Sequence, residues 1–133
     1  MDRLFLDANV LFSAAYRPGA GLLQLWKLKN VVLCSSRYAL EEARLNLADA
    51  DQRVRLDSLA ESLHWFEASQ RELPRGILMP GKDLPIVLAA MAARASHLLT
   101  GDVKHFGAYF GRKIAGVAIA LPGEFLRDRD RKG

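Results

Sequence analysis

Short runs of consecutive apolar residues alternate along this chain with longer stretches in which apolar positions recur at helical spacing. Leu4-Phe5-Leu6, Val31-Val32-Leu33-Cys34, His97-Leu98-Leu99 and Val117-Ala118-Ile119-Ala120 are nearly unbroken. Unbroken runs, rather than strict alternation, predict strands covered on both faces. Strands are therefore expected at residues 3 to 6, 31 to 34, 97 to 99 and 117 to 120, with a short one around 63 to 67. Helices are expected from Ala8 to about Ala15 and over about 20 to 29, where Leu22, Leu23, Leu25, Trp26 and Leu28 form a stripe. Two more are expected, from about Arg37 to Leu47 behind a Ser35 or Ser36 cap and from Asp51 onward. Leu84 to Ala95 is apolar nearly all round and predicts a helix buried between layers. Arg17-Pro18-Gly19-Ala20-Gly21 and the stretch from Leu73 to Gly81 read as loops. Leu121-Pro122-Gly123 turns into a final short helix carrying Phe125 and Leu126. There are no hairpin signals, repeats or linkers. Strands alternating with helices argue for a parallel sheet with helices on both faces.

Composition narrows the class. A chain of 133 residues, 50% hydrophobic, is expected to be one domain over 1–133 with a core that needs no disulfides. Cys34 is the single cysteine and has no internal partner, which suits a reducing cytoplasm. One cysteine with the scattered His64, His97 and His105 does not make a structural zinc site. No apolar run is long enough to span a bilayer, and Met1-Asp2-Arg3 does not begin a secretory signal. A soluble, cytoplasmic protein is expected. The net charge of +4 suits a polyanionic partner, although residues 127–133 carry part of it in what reads as a loose basic tail. A phosphate-binding loop of the G-x-x-x-x-G-K-[ST] kind is absent.

The chemistry sits in the carboxylates at element boundaries. Asp7 follows the first strand and Asp102 ends "LLTGD" after the fourth. Asp83 directly precedes the buried helix, and Glu41 and Glu42 lie in the helix after the second strand. Each aspartate taken alone is explained as a helix cap or a favourable first-turn charge, and each glutamate as a solvated residue. In a parallel sheet, however, ligands bind outside the carboxyl ends of the strands, where strand order reverses. Four carboxylates gathered there would repel one another, and a divalent cation would remove that cost.

"FLDANVLFSA", "SSRYALEEARLNL", "KDLPIVLAAMAARASHLLTGDVKHFG" and the closing strand with "LPGEFL" resemble the PIN domain, in that order and across almost the whole chain. "LDANVL" and "LLTGD" are the most specific blocks. The resemblance implies a three-layer α/β/α fold with a central, mostly parallel five-stranded sheet. It also implies a metal-dependent nuclease, usually acting on RNA, with Mg²⁺ or Mn²⁺ held by a carboxylate cluster. On this likeness Asp7, Glu42, Asp83 and Asp102 are the metal-binding and catalytic acids. Glu42 is preferred because Ala43 follows it and Leu47 lies five positions on, and Glu41 is the runner-up. Asn9 corresponds to the small polar residue that orients the first acid, and Thr100 would steady the Asp102 loop.

The chain departs from the pattern at one point. Some members carry another acid shortly after Thr-Gly-Asp, where this chain reads Val103-Lys104-His105-Phe106. One-metal and two-metal chemistry therefore both stay open. Asp102 or Asp83 is the expected general base. Lys82, Lys104, His105, Arg112 and Lys113 are candidate contacts to the RNA backbone, with solvated surface charge as the plain alternative for the cations. Many small members are toxins of toxin–antitoxin pairs, of the VapC-like type. The resemblance thus implies an antitoxin partner lying along helices near the site, and a homodimer. The stripe from Leu22 to Leu28 serves such a contact or is simply core. The rival reading is a nucleic-acid or protein-binding module that kept the fold without the chemistry. A receiver-like domain fits less well, because "FLDAN" has one acid where an acidic pair is needed and residues 67 to 72 supply no phosphoacceptor.

Overall fold

Strand β1 (Asp2–Leu6) lies inside the sheet, and Leu4, Phe5 and Leu6 are all fully buried. Burial of three successive residues requires cover on both faces, since alternate side chains point to opposite sides. The computed structural model describes residues 1–68, 73–79 and 81–132, so residues 69–72 of the receiver comparison and Pro80 of the expected loop lie outside the described residues. β1 pairs in parallel with β2 (Val31–Ser35) on one side, Leu4 opposite Leu33, and with β4 (His97–Leu99) on the other, Leu6 opposite Leu99. β3 (His64–Trp65) extends the sheet beyond β2, and β6 (Val117–Ala120) continues it beyond β4. The strand order is β3-β2-β1-β4-β6-β5.

The protein is thus a mixed α/β structure with a mostly parallel central sheet between helical layers. The sheet has a sixth strand that the apolar pattern does not announce. β5 (Lys113–Ile114) pairs antiparallel with β6 through a hairpin in which Ala115 and Gly116 both have positive φ, 51° and 86°. Such two-residue turns normally announce themselves as Asn-Gly or Asp-Gly, and alanine in the first position hides this one.

The helices follow the sequence more closely at their starts than at their ends. α1 (Ala8–Ala15), α2 (Arg37–Asn46), α3 (Ala50–Ala60) and α4 (Leu84–Ala92) lie where expected. Ser36 caps α2, its side chain accepting from the Ala39 amide at 3.2 Å. α4 stops three residues short of Ala95 because Arg94 takes the left-handed conformation, φ 52°. The Ala95 amide then donates back to the Ala90 carbonyl, and the Arg94 amide to that of Met91, which closes the helix end. Gly21–Lys27 winds as a 3₁₀ helix rather than an α-helix. With three residues per turn, Leu22, Leu25 and Leu28 fall in one row. Leu25 is fully buried and its neighbours pack against the core, so the stripe is largely core.

α5 (Val103–Phe106) is a single turn after β4, and α6 (Pro122–Lys132) closes the chain. Residues 127–132, expected as a loose tail, continue α6. Arg129 holds them by donating to Asp2 Oδ2 and to the Lys29 carbonyl, both at 3.1 Å. Among the described residues no helix is long and apolar enough to cross a membrane.

Candidate metal centre

β1 leads to β2 on one side and pairs with β4 on the other, so strand order reverses between β1 and β4. The two strands end level with each other, and the Asp7 amide donates to the Leu99 carbonyl at 3.1 Å. Their next residues therefore face one crevice, Asp7 at the mouth of α1 and Thr100-Gly101-Asp102 ahead of α5.

Asp7 is buried, only 5% exposed, and every polar group around it is specified by the sequence. Its Oδ1 accepts from the Ala8 amide at 2.7 Å. Its Oδ2 accepts from the Thr100 hydroxyl at 2.8 Å and from Asn9 Nδ2 at 3.2 Å. Asn9 Oδ1 in turn accepts from the Gly101 amide at 2.8 Å, joining the two strand ends. The fully buried Thr100 hydroxyl also accepts from Asn9 Nδ2 at 3.2 Å and from the Asp102 amide at 3.1 Å, using its whole bonding capacity. Burial raises the Asp7 pKa above the ordinary 3.8. The Thr100 and Ala8 hydrogen bonds oppose that shift, and the nearby Asp83 and Asp102 add to it.

Thr100→Val keeps the shape but removes the hydroxyl. It is expected to cost about 1–3 kcal/mol, because Asp7 and the Asp102 amide both lose a partner. Thr100→Ser keeps the bonds and should cost less. Urea unfolding of the two variants checks the difference.

Asp83 differs from the other two aspartates. Asp7 and Asp102 cap the helices they precede, Asp102 Oδ1 accepting from the His105 amide at 3.1 Å. Asp83 stands at the head of α4 but makes no side-chain cap bond, and it is 6% exposed. Its Oδ2 lies 2.8 Å from His105 Nδ1, which is also 2.8 Å from Asp102 Oδ2. The buried Asp83 Oδ2 and His105 Nδ1 nevertheless make no hydrogen bond of good geometry. Burial raises the Asp83 pKa above 3.8, with His105 and Lys82 pulling it down and Asp102 pushing it up.

Asp7, Glu42, Asp83 and Asp102 all line one cleft of about 390 Å³. Glu42 is half-buried and reaches it from α2, whereas Glu41 is exposed and does not line it. Lys82 also lines the cleft. Lys104, Arg112 and Lys113 are exposed elsewhere; β5 carries Lys113 three positions from β1 in the sheet. Sequence reasoning missed two residues here. Tyr38 sits one turn before Glu42 on α2 and donates its hydroxyl to the Lys82 carbonyl at 3.1 Å, bracing the segment that carries Asp83. Its pKa is raised by burial and by the negative field of Glu42, Asp83 and Asp7. Asn46, one turn after Glu42, lines the cleft and bonds the Glu42 carbonyl at 2.9 Å. Their i−4 and i+4 spacing from Glu42 was the available signal.

Fold and crevice together define an α/β/α domain with acids at the carboxyl ends of its central strands. Solved structures share that fold. A chain of the VapBC2 complex from Rickettsia felis, bound to a DNA fragment from its promoter, matches with a TM-score of 0.67 and 20% identity, over 90% of this chain and 98% of that one. A chain of FitAcB from Neisseria gonorrhoeae matches with a TM-score of 0.52 and 22% identity, over the same 90% and 98%. A chain of FitAB bound to the IR36 DNA fragment gives 0.52 and 20%, over 90% and 94%. No protein-family model and no curated protein matches the sequence.

Proposed function

We propose that this chain is a metal-dependent endoribonuclease and the toxin of a toxin–antitoxin pair. The observation that carries the reading is the convergence of Asp7, Glu42, Asp83 and Asp102 on one cleft at the strand carboxyl ends. A divalent cation fits Asp83 and Asp102, which with His105 offer donor atoms within 4.8 Å of one another, and Asp7 and Glu42 line the same cleft. Buried carboxylates with raised pKa values and an orphaned Asp83 Oδ2 are what a cation site leaves when described without its ion. Asp7, Glu42, Asp83 and Asp102 would hold Mg²⁺ or Mn²⁺, directly or through water. When bound, the ion would polarise the attacking water and the phosphodiester and neutralise the leaving oxygen.

The chain supplies the remaining functions. Asn9 and Thr100 fix the rotamer of Asp7. Asp102 or Asp83 takes the proton from water as general base. Lys82, at the cleft wall, binds the substrate phosphate, while Lys104, Arg112 and Lys113, exposed outside the cleft, would contact the RNA backbone only where the strand runs beyond it.

The likeness to chains from VapBC2 and FitAB complexes supports an antitoxin partner, in keeping with the VapC-like resemblance of the sequence. A mostly apolar groove of about 570 Å³, between α1 and α6, adjoins the cleft at Phe12 and is where an antitoxin segment would lie. A homodimer remains part of the proposal.

The test is cleavage of a pool of structured RNAs, with a matched DNA pool, by the full chain in Mn²⁺, in Mg²⁺ and in chelator. RNA cleavage that needs the ion and vanishes in Asp102→Asn is the expected result. A folded chain that binds no divalent cation and cuts neither pool would leave a silent nucleic-acid or protein-binding module.

A further inference from the structure

We propose that His105 is itself a direct ligand of the cation in this cleft, through Nδ1, and that this nitrogen makes the site prefer Mn²⁺ to Mg²⁺. The inference rests on the reading of the cleft as a metal centre, but it concerns a residue outside the carboxylate set.

Three observations support it. The Nδ1 atom lies 2.8 Å from Asp83 Oδ2 and 2.8 Å from Asp102 Oδ2, and one donor atom from each of the three residues falls within 4.8 Å of the others. Neighbouring corners of an octahedron with bonds of about 2.1 Å are about 3.0 Å apart, so the observed spacing is that of adjacent ligands on one small ion. Second, the close approach is an ion-pair contact whose angles fall short of a well-formed hydrogen bond. The Asp83 Oδ2 and His105 Nδ1 atoms are both buried and both lack a hydrogen bond. Buried polar atoms are rarely left unsatisfied, and an ion between them would give each a bond. Third, the Asp83 side chain does not serve its own helix. It is 6% exposed, caps nothing with its side chain, and directs its orphaned oxygen at the His105 ring.

Local structure keeps the ring in place. His105 lies in the one-turn helix α5, whose capping residue is Asp102 and whose next residue, Phe106, is fully buried. The ring is thus fixed from both sides, and its Nδ1 edge is presented to two carboxylates. An all-oxygen site suits Mg²⁺, which takes oxygen ligands in strict octahedral geometry. An imidazole nitrogen favours first-row transition ions, which accept mixed nitrogen and oxygen donors.

The experiment is pulsed electron paramagnetic resonance of the full chain loaded with Mn²⁺, with nitrogen-labelled histidine, beside calorimetric titration with Mn²⁺ and with Mg²⁺. Hyperfine coupling to one directly bound imidazole nitrogen is expected in the parent. His105→Ala should abolish the coupling and weaken Mn²⁺ binding by at least the roughly 10- to 100-fold that follows loss of a ligand's outer partner. His105→Asp should restore affinity while narrowing the preference for Mn²⁺ over Mg²⁺. The parent spectrum needs no variant, so a variant that fails to fold does not decide the matter. Mn²⁺ binding that depends on Asp7 and Asp102 but shows no nitrogen coupling would overturn the role of His105 and leave the carboxylate centre standing. A parent that binds neither ion would overturn both.

Discussion

Asp7→Asn is expected to raise the thermal stability of the metal-free chain while removing the proposed ion-dependent activity. Burial is the largest influence on this carboxyl and raises its folded-state pKa above 3.8. A raised carboxyl binds its proton more tightly when folded. Its contribution is therefore fully present at or below the unfolded value and is lost as pH rises through the folded value. At neutral pH the ionised group opposes folding unless a cation sits beside it. Asparagine removes that charge and can still accept from the Ala8 amide, since asparagine caps helices as well as aspartate does. Melting in chelator across pH 4 to 8 should show the variant above the parent at neutral pH, with the gap closing on acidification. Added Mn²⁺ should stabilise the parent and leave the variant nearly unmoved, with cation affinity down by at least about 10- to 100-fold. A variant that melts lower than the parent in chelator at neutral pH would mean that the bonds from Thr100, Asn9 and Ala8 outweigh the cost of burial.

Phe106→Ala is expected to produce the largest loss of stability among single changes near the cleft. Truncating a fully buried phenylalanine costs about 3–5 kcal/mol, and Phe106 is fully buried. The functional damage should exceed what the stability loss explains. A one-turn helix has no independent stability, because nucleation costs more than one hydrogen bond returns. α5 persists because Phe106 anchors one end and Asp102 caps the other. Without the anchor, Asp102 and His105 lose their fixed positions together. Val103, on the same turn and 60% exposed, is the control: Val103→Ala should stay within about 0.5 kcal/mol. Urea unfolding compared with Mn²⁺ titration under conditions where each variant is folded separates the two effects. Retention of full Mn²⁺ affinity by folded Phe106→Ala would show that the turn is held by something else.

The parts of this molecule most legible in the sequence are those where one physical requirement dominates. Leu4-Phe5-Leu6 and Leu98-Leu99 read as strands because cover on both faces demands unbroken apolar residues, and both pairs of faces are covered. The β5–β6 hairpin was hidden because Ala115, in place of asparagine or aspartate, takes the strained turn position. The continuation of α6 was hidden because Arg127 to Lys132 carry charges at every position, and the ties that order them, from Arg129 to Asp2 and Lys29, span the whole chain. The same division runs through the cleft. Asp7 and Asp102 stand out because a carboxylate that ends a buried strand is conspicuous. That Asp83 leaves its helix uncapped is a matter of side-chain orientation, to which residue spacing is blind. The contact of His105 with Asp102 follows from their i,i+3 spacing, but its contact with Asp83 depends on where the fold sets α5 against the head of α4, and no local pattern encodes that.

The adjacency of β1 and β4 also sets a clock on synthesis. Asp7 and Thr100, which share a hydrogen bond, are 93 residues apart in the chain. At about 5–20 residues per second, a ribosome that has made Asp7 needs roughly 5 to 20 seconds more to reach Thr100. During that interval the first carboxylate has only its local partners Ala8 and Asn9 and lacks Thr100, and β1 lacks the neighbour that brings Asp102 beside it. The cleft therefore cannot be assembled on a nascent N-terminal fragment, however well β1, β2 and α1 to α3 have begun to pack. Any chemistry the cleft performs begins only after most of the polypeptide has been made.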